Sequence, residues 1–337
     1  MSTYRLCFIG FGNVGRALAQ LLLDQTAEMR RRYGIEWKLT GVATRRLGWL
    51  ADPAGLDVQA LLAGDPMSGA RLPVGEVSGW LGAARADALF EMSSLDVTSG
   101  QPAISYLEAA LRHGAHAITA NKGTVVHGYQ ALRDLAAAEG RGFRFESTVM
   151  DGAPIFSLFR SALPLARLSG FRGILNSTTN VILERLEAGD DLAEGIAYAQ
   201  VLGLAETDPS ADVDGWDAAV KVAALVTVLM DYPIVLSTIP REGIRNLTGE
   251  AARAGRAAGT PYKLVCWATR RGDAVEAGVR PQLLPPDDPL GQVNGASSAV
   301  HFELDLLPGL TVVEHAPTPV TTAYGMLADF MDLVRPG

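Results

Sequence analysis

Cysteine is nearly absent: Cys7 and Cys266 are the two thiols in 337 residues. So few exclude a disulfide framework or a cysteine-rich metal centre, and each lies in a strand-like segment where a thiol is an inert core residue. Long hydrophobic runs are missing too. The longest, Val222 to Met230 with Thr227 inside it, falls far short of the roughly 20 residues that a membrane span needs. The amino terminus, Met-Ser-Thr-Tyr-Arg-Leu-Cys, has no secretion-signal core, which predicts a cytoplasmic protein. Basic charge is scarce as well: 29 lysines and arginines face 37 acidic residues, for a net charge of -8 and an isoelectric point near 5.2. With no basic stripe, nucleic acid and anionic membranes are excluded as partners. His113, His116, His127, His301 and His315 show no metal-ligand spacing. A small molecule, or another copy of the chain, is the partner left.

What is present is enough apolar sequence, 48% of the residues, to bury two cores. Tyr4 to Ile9 reads as a buried strand, followed by Gly-Phe-Gly-Asn-Val-Gly and an apolar-periodic helix running towards Met29; a second strand fits Trp37 to Ala43. Further strands fit Ala88–Met92, His116–Ala120 and Phe143–Ser147, alternating with helices near Pro102–His113 and Tyr129–Glu139. That alternation predicts an α/β fold with a Rossmann-like, doubly wound parallel sheet over residues 1–150. Beyond Gly152 the pattern changes to strands near Phe171, Tyr262, Glu276 and Ser298, with helices near Asn180–Glu187 and Leu192–Leu202 and a buried helix from Gly215 to Met230. A second, α+β domain is expected over residues 151–315, with the segment 316–337 returning to the first.

Gly10, Gly12 and Gly15, with Asn13 and Val14 between them, stand where a dinucleotide fingerprint requires glycine: a tight turn, backbone approach to a pyrophosphate, and close helix–strand packing. A purely structural glycine turn is the competing reading. After the second strand comes Thr44-Arg45-Arg46 rather than an acidic residue, which favours the 2′-phosphate of NADP(H), with NAD(H) still possible. Ser93 and Ser94 follow the fourth strand, where they either contact the cofactor or cap a helix. Lys122 follows the next strand, at the edge where such sheets bind ligands.

The densest chemistry lies in Glu206-Thr-Asp-Pro-Ser-Ala-Asp-Val-Asp-Gly-Trp-Asp-Ala-Ala-Val-Lys221, five carboxylates and then a lysine at the mouth of an apolar helix. Asp217 and Lys221 are four apart and share a helix face. A solvated surface ion pair would be the plain reading, but on a helix apolar nearly all round the pair is enclosed, and an enclosed pair is better explained by a task than by stability.

In order along the chain, the glycine loop, Ala-Asn-Lys122, Glu146-Ser-Thr-Val-Met-Asp-Gly-Ala-Pro, Gly173-Ile-Leu-Asn-Ser-Thr-Thr-Asn and the acidic-to-lysine motif resemble homoserine dehydrogenase over nearly the full length. The resemblance implies interconversion of L-homoserine and L-aspartate 4-semialdehyde with NAD(P)(H), a branch-point step towards threonine and methionine, in a homodimer whose second domain binds substrate and dimerises. It implies catalytic roles for Lys221, Asp217 and Lys122, substrate contacts from Glu206, Asp212 and Thr178, and a sodium ion held by Glu146, Val149, Asp151 and Ala153, mostly through carbonyls. Departures are Ser177, Met150 and Asp151 where relatives have small residues, and a proline- and threonine-containing stretch before the last helix in place of a glycine-rich turn. The chain ends at Gly337 without room for the regulatory ACT domain of longer relatives, so threonine feedback through one is not expected.

Hydride transfer leaves the protein to manage one proton at the substrate oxygen. With an ordinary pKa of about 10.4, a lysine donates that proton during aldehyde reduction; Lys221 or Lys122 could serve. Carboxylates such as Glu206 and Asp212 would capture the ammonium that marks an amino-acid substrate. Two other readings stand beside this one: a related oxidoreductase for another amino or hydroxy acid, and a non-catalytic NADP(H)-binding sensor.

Overall fold

A computed structural model of the chain describes residues 1–65, 70–72 and 76–335. The last two residues of the segment expected to complete the first domain, 336 and 337, lie outside the described ones. The chain divides into two compact units, Met1–Pro154 with Thr318–Gly337, and Ile155–Pro317.

The first unit opens with β1 (Ser2–Ile9), α1 (Asn13–Glu28) and β2 (Ile35–Thr44), continues through β3 (Gly48–Ala51), α2 (Val58–Ala63), β4 (Ala70–Leu72) and α3 (Val77–Ala84), and then alternates β5 (Ala88–Glu91), α4 (Ala103–His113), β6 (His116–Thr119), α5 (Lys122–Ala138) and β7 (Phe143–Arg144). The strands form one sheet in the order β4-β3-β2-β1-β5-β6-β7. From β2 to β7 neighbouring strands are parallel, the doubly wound arrangement that alternation predicts. The other edge differs. β2 turns directly into β3, and both β2–β3 and β3–β4 are antiparallel, so the sheet is mixed at that side.

Two boundaries also move. The strand expected through Ser147 ends at Arg144, and Glu146–Thr148 forms a 3-10 turn, because the Glu146 N–H bonds the buried Asp329 carboxylate at 2.7 Å instead of a strand neighbour. α5 starts seven residues before Tyr129, at Lys122, where the Asn121 side chain accepts the Gly123 N–H and caps the helix.

The carboxyl-terminal helix, Pro319–Val334, belongs to this unit. Pro319 stands in its first turn and Thr318 closes a capping box with Thr321. Its Met326 and Phe330 enter the core formed by Leu6, Phe8, Leu18 and Phe90, with the Phe330 ring 5.6 Å from Tyr4 and 5.8 Å from Phe90. Gly325 permits the close fit: a Cβ there would stand 2.5 Å from the Asp151 carbonyl oxygen.

In the second unit, β8 (Leu168–Ile174) leads into α6 (Ser177–Ala188) and α7 (Leu192–Val201), a single-turn α8 (Ser210–Val213), the apolar α9 (Trp216–Leu229) and α10 (Gly249–Ala257). Then come β9 (Tyr262–Arg271), β10 (Ala274–Leu283), β11 (Ser298–Leu304) and β12 (Leu310–Glu314). The five strands form an antiparallel sheet, β10-β9-β8-β11-β12, with α6 and α9 against it. From Ala218 to Val226, α9 is buried at every residue except Lys221, so this lysine interrupts an otherwise apolar helix interior. Burial pushes the thiols of Cys7 and Cys266 up to about 12, which keeps both in the inert thiol form.

Candidate active site

The glycine loop of the first unit assigns a separate constraint to each glycine. Gly10 has φ +97° and no space for a side chain, since a Cβ would come within 2.4 Å of the Met92 carbonyl oxygen; at Gly15 a Cβ would come within 2.7 Å of the Gly10 carbonyl oxygen. At Gly12 a Cβ would meet nothing within 4 Å among the described residues. The first and third glycines are thus required by the protein's own packing, and the second faces open space at the amino end of α1. Among the described residues no side chain caps that end. Its first-turn N–H groups and its dipole suit the pyrophosphate of a dinucleotide. Asn13 is exposed there and Val14 partly covered.

Arg45 and Arg46 are both exposed in the turn between β2 and β3, where the Leu47 N–H bonds the Thr44 hydroxyl at 2.8 Å. They therefore occupy a hairpin tip at the carboxyl end of β2 rather than a strand-to-helix loop. Ser93 and Ser94 follow β5. The Ser93 N–H and hydroxyl both donate to the Glu91 carboxylate, which engages that serine internally, while Ser94 is exposed. Neither serine is a helix cap; α4 starts at Ala103. Lys122 is the first residue of α5, an unfavourable place for a cation because the helix dipole is positive there. An anionic or electron-rich ligand would offset that cost.

Glu146, Val149, Asp151 and Ala153 follow β7 along the chain. Glu146 is buried, Asp151 has φ +37° and accepts a hydrogen bond from the Thr322 hydroxyl, and the Ala153 N–H bonds the Met150 carbonyl at 2.7 Å. The Asp151 carbonyl faces Gly325.

In the second unit the acidic motif separates into parts with different work. Asp208 is bonded by the Ser210 hydroxyl and takes the Ser210 N–H at 3.0 Å, and Asp214 pairs with the Arg245 guanidinium at 2.6 Å; those hydrogen bonds hold both carboxyls below their ordinary range. Asp212 and Asp217 turn instead towards Asn176, whose amide nitrogen donates to Asp212 at 2.6 Å and to Asp217 at 3.0 Å. Lys221 Nζ stands 3.5 Å from Asp217 and donates to the Leu175 carbonyl at 2.6 Å. The Asp217 and Lys221 side chains are 17% and 15% exposed, so the pair is largely enclosed yet reachable from solvent.

Asn176 is the residue that sequence reasoning missed. It caps α6, accepting the Thr179 N–H at 2.8 Å. An asparagine directly before a helix is a capping signal, but nothing local indicates that its second functional group joins two distant carboxylates. Thr178 is buried and donates to the Leu204 carbonyl at 2.9 Å, which ties α6 to the segment leading to Glu206. Glu206 itself is exposed, with its carbonyl bonded by Gln200 at 3.0 Å. Ser177 turns away to the Ala296 carbonyl at 2.6 Å.

A parallel-sheet nucleotide unit and an antiparallel-sheet unit with a carboxylate–lysine cluster, carried on one chain, define a two-unit nicotinamide-dependent oxidoreductase. The chain belongs to the homoserine dehydrogenase family: the homoserine dehydrogenase family model matches residues 154–331, and the model for the homoserine dehydrogenase NAD-binding domain matches residues 10–146. It is 35% identical over 341 residues to the NAD(+)-dependent homoserine dehydrogenase of Pseudomonas canavaninivorans, covering 99% of this chain and 97% of that protein. It is 30% identical to the homoserine dehydrogenase of Methanocaldococcus jannaschii, covering 97% and 98%. Among solved structures, a putative homoserine dehydrogenase from Archaeoglobus fulgidus matches with a TM-score of 0.87 at 27% identity over 99% of this chain and all of that one. A hyperthermophilic archaeal homoserine dehydrogenase mutant solved with NADPH matches at 0.82 and 25% identity, covering 98% of each chain.

Replacing Asn176 by Asp keeps a capping oxygen but brings a third carboxylate against Asp212 and Asp217. Asn176→Asp is expected to lower kcat/KM for homoserine by about a hundredfold while the protein stays folded. Steady-state kinetics beside a circular-dichroism melt check this; near-wild-type kinetics would make the amide bridge dispensable.

Proposed function

We propose that this homoserine dehydrogenase handles the substrate-oxygen proton with lysine, Lys221 or Lys122, and recognises the substrate ammonium with the carboxylates of Asp212 and Glu206. The observation that carries the reading is the cluster of Asn176, Asp212, Asp217 and Lys221. A binding module that has lost activity gains nothing from enclosing a lysine beside two bridged carboxylates, whose desolvation is costly. The Leu175 carbonyl and Asp217 orient the Lys221 ammonium, leaving its charge to polarise an aldehyde oxygen and its proton to neutralise the alkoxide as it forms. Asp217 orients; it is not the proton donor. The nicotinamide, when bound, supplies or accepts the hydride.

NADP(H) is the proposed preferred cofactor, on Arg45 and Arg46 at the hairpin tip and the lack of an acidic residue following β2. The Pseudomonas canavaninivorans relative, named for NAD(+), gives the opposite expectation. The decisive assay follows nicotinamide reduction with L-homoserine at alkaline pH, with NADP+ and NAD+ in parallel. Lys221→Ala and Lys122→Ala should each lower kcat by orders of magnitude without unfolding the protein, and Arg45→Ala with Arg46→Ala should raise KM for NADP+ about tenfold or more but not for NAD+. Equal cofactor use unaffected by the arginine changes would remove the NADP(H) preference, and near-wild-type turnover in a lysine variant would remove that lysine from the chemistry.

A sodium ion is the proposed occupant of the turn after β7. Carbonyl and carboxylate oxygens of Glu146, Val149 and Ala153 are a hard donor set that suits such a cation. Asp151, whose carboxylate and carbonyl both face the carboxyl-terminal helix, is the least suited of the four. Exchanging sodium for choline at constant ionic strength should lower activity reversibly, and identical rates in both salts would exclude the role.

The protein is further proposed to be cytoplasmic and to form a homodimer through the second unit, where Val201, Leu202 and Val313 expose apolar surface. Light scattering should give twice the chain mass at micromolar concentration; a monomer mass would overturn this.

A further inference from the structure

Glu91 ends β5 with its whole side chain buried. The Ser93 N–H donates to its Oε1 at 2.8 Å, the Ser93 hydroxyl donates to the same oxygen, and the Thr119 hydroxyl donates to Oε2 at 2.7 Å. Thr119 in turn accepts the Asn121 N–H at 2.9 Å. Asn121 caps α5 immediately before Lys122, and its amide nitrogen reaches the Ser94 carbonyl at 3.5 Å. The bonds close a ring, Glu91 to Ser93–Ser94 to Asn121 to Thr119 and back to Glu91, that joins the segments leaving β5 and β6.

A buried carboxylate is a costly way to end a strand, and an apolar residue would close this core without the cost. Burial alone pushes the Glu91 carboxyl above its ordinary range, and the bonds from Ser93 and Thr119 oppose that push. Each lone-pair direction filled is one more constraint on the neighbouring backbone. Lys122 is the first residue of α5, so what fixes that helix end fixes its backbone.

We propose that Glu91 is a positioning residue that fixes the Ser93–Ser94 turn and, through Thr119 and Asn121, the Lys122 end of α5 in the arrangement used with the nicotinamide cofactor. This rests on the reading of Ser93, Ser94 and Lys122 as cofactor-side residues. Glu91 itself touches neither cofactor nor substrate; it acts through the groups it holds.

Thr119→Val is nearly isosteric and deletes the hydroxyl between Glu91 and Asn121, Thr119→Ser keeps that hydroxyl, and Glu91→Gln keeps the shape but exchanges one acceptor for a donor. The three full-length variants and the wild type are compared by nicotinamide-fluorescence titration with NADPH and NADH, by kcat and KM with homoserine, and by thermal melting. The expected result is a loss of about tenfold or more in cofactor affinity and kcat for Thr119→Val and Glu91→Gln, with homoserine KM within about twofold and recovery in Thr119→Ser. A merely structural role would lower the melting temperature and leave cofactor affinity and kcat of the folded protein unchanged, and that outcome in Thr119→Val overturns the proposal even if Glu91→Gln does not fold. Equal impairment of Thr119→Ser and Thr119→Val would overturn it too. A wild type that binds neither cofactor would instead remove the reading on which the proposal rests.

Discussion

One amide holds the second unit's chemistry together. Asp212 and Asp217 come from different helices, and two carboxylates drawn to one place repel each other unless something between them donates to both. The Asn176 amide nitrogen does so, at 2.6 and 3.0 Å. Its two N–H bonds point at the two acids, while the oxygen of the same side chain accepts the Thr179 N–H and anchors the amide to α6. With Asp217 fixed, Lys221 one turn further along α9 has a charge partner on one side and the Leu175 carbonyl on the other. Asp217 thereby gains an orienting bond from the amide and an electrostatic one from the lysine.

Lys221 tolerates its position for the same reason. The eight other residues from Ala218 to Val226 are buried, and an ammonium in that company is stable only with acceptors placed for it. β8 ends at Ile174, so the Leu175 carbonyl is released from the sheet ladder and can be one of them. The sheet, the cap and the apolar helix are separate consequences of local sequence, and the site exists where the three meet.

Much of this was legible beforehand and some could not be. Alternating apolar strands and periodic helices follow from backbone geometry, so β1, β5, β6 and α1 lie where the pattern puts them. The glycine loop was legible because each glycine answers a local steric demand. The i,i+4 spacing of Asp217 and Lys221 is fixed by the helix itself. What failed to show was whatever depends on a partner far along the chain. Glu146 leaves the strand path because Asp329 takes its N–H, 183 residues away. Arg45 and Arg46 occupy a hairpin because β3 pairs back on β2 rather than giving way to a helix. Of the five acids in one motif, composition alone could not separate Asp214, which serves Arg245, from Asp212 and Asp217, which serve Asn176.

The two units, unlike in sheet topology, share one local device. In each, a strand ends, one residue intervenes, and an asparagine caps the next helix: Thr119, Ala120, Asn121 before α5 and Ile174, Leu175, Asn176 before α6. In each, the capping oxygen takes a helix N–H while the amide nitrogen reaches another segment, the Ser94 carbonyl in one case and Asp212 with Asp217 in the other. Serine or threonine would cap as well, and aspartate would cap while repelling its neighbours. Only asparagine combines a short capping acceptor with two outward donors. The residue type at these junctions is therefore set by the second task more than by the first, and the cap is what gives the second task a rigid origin.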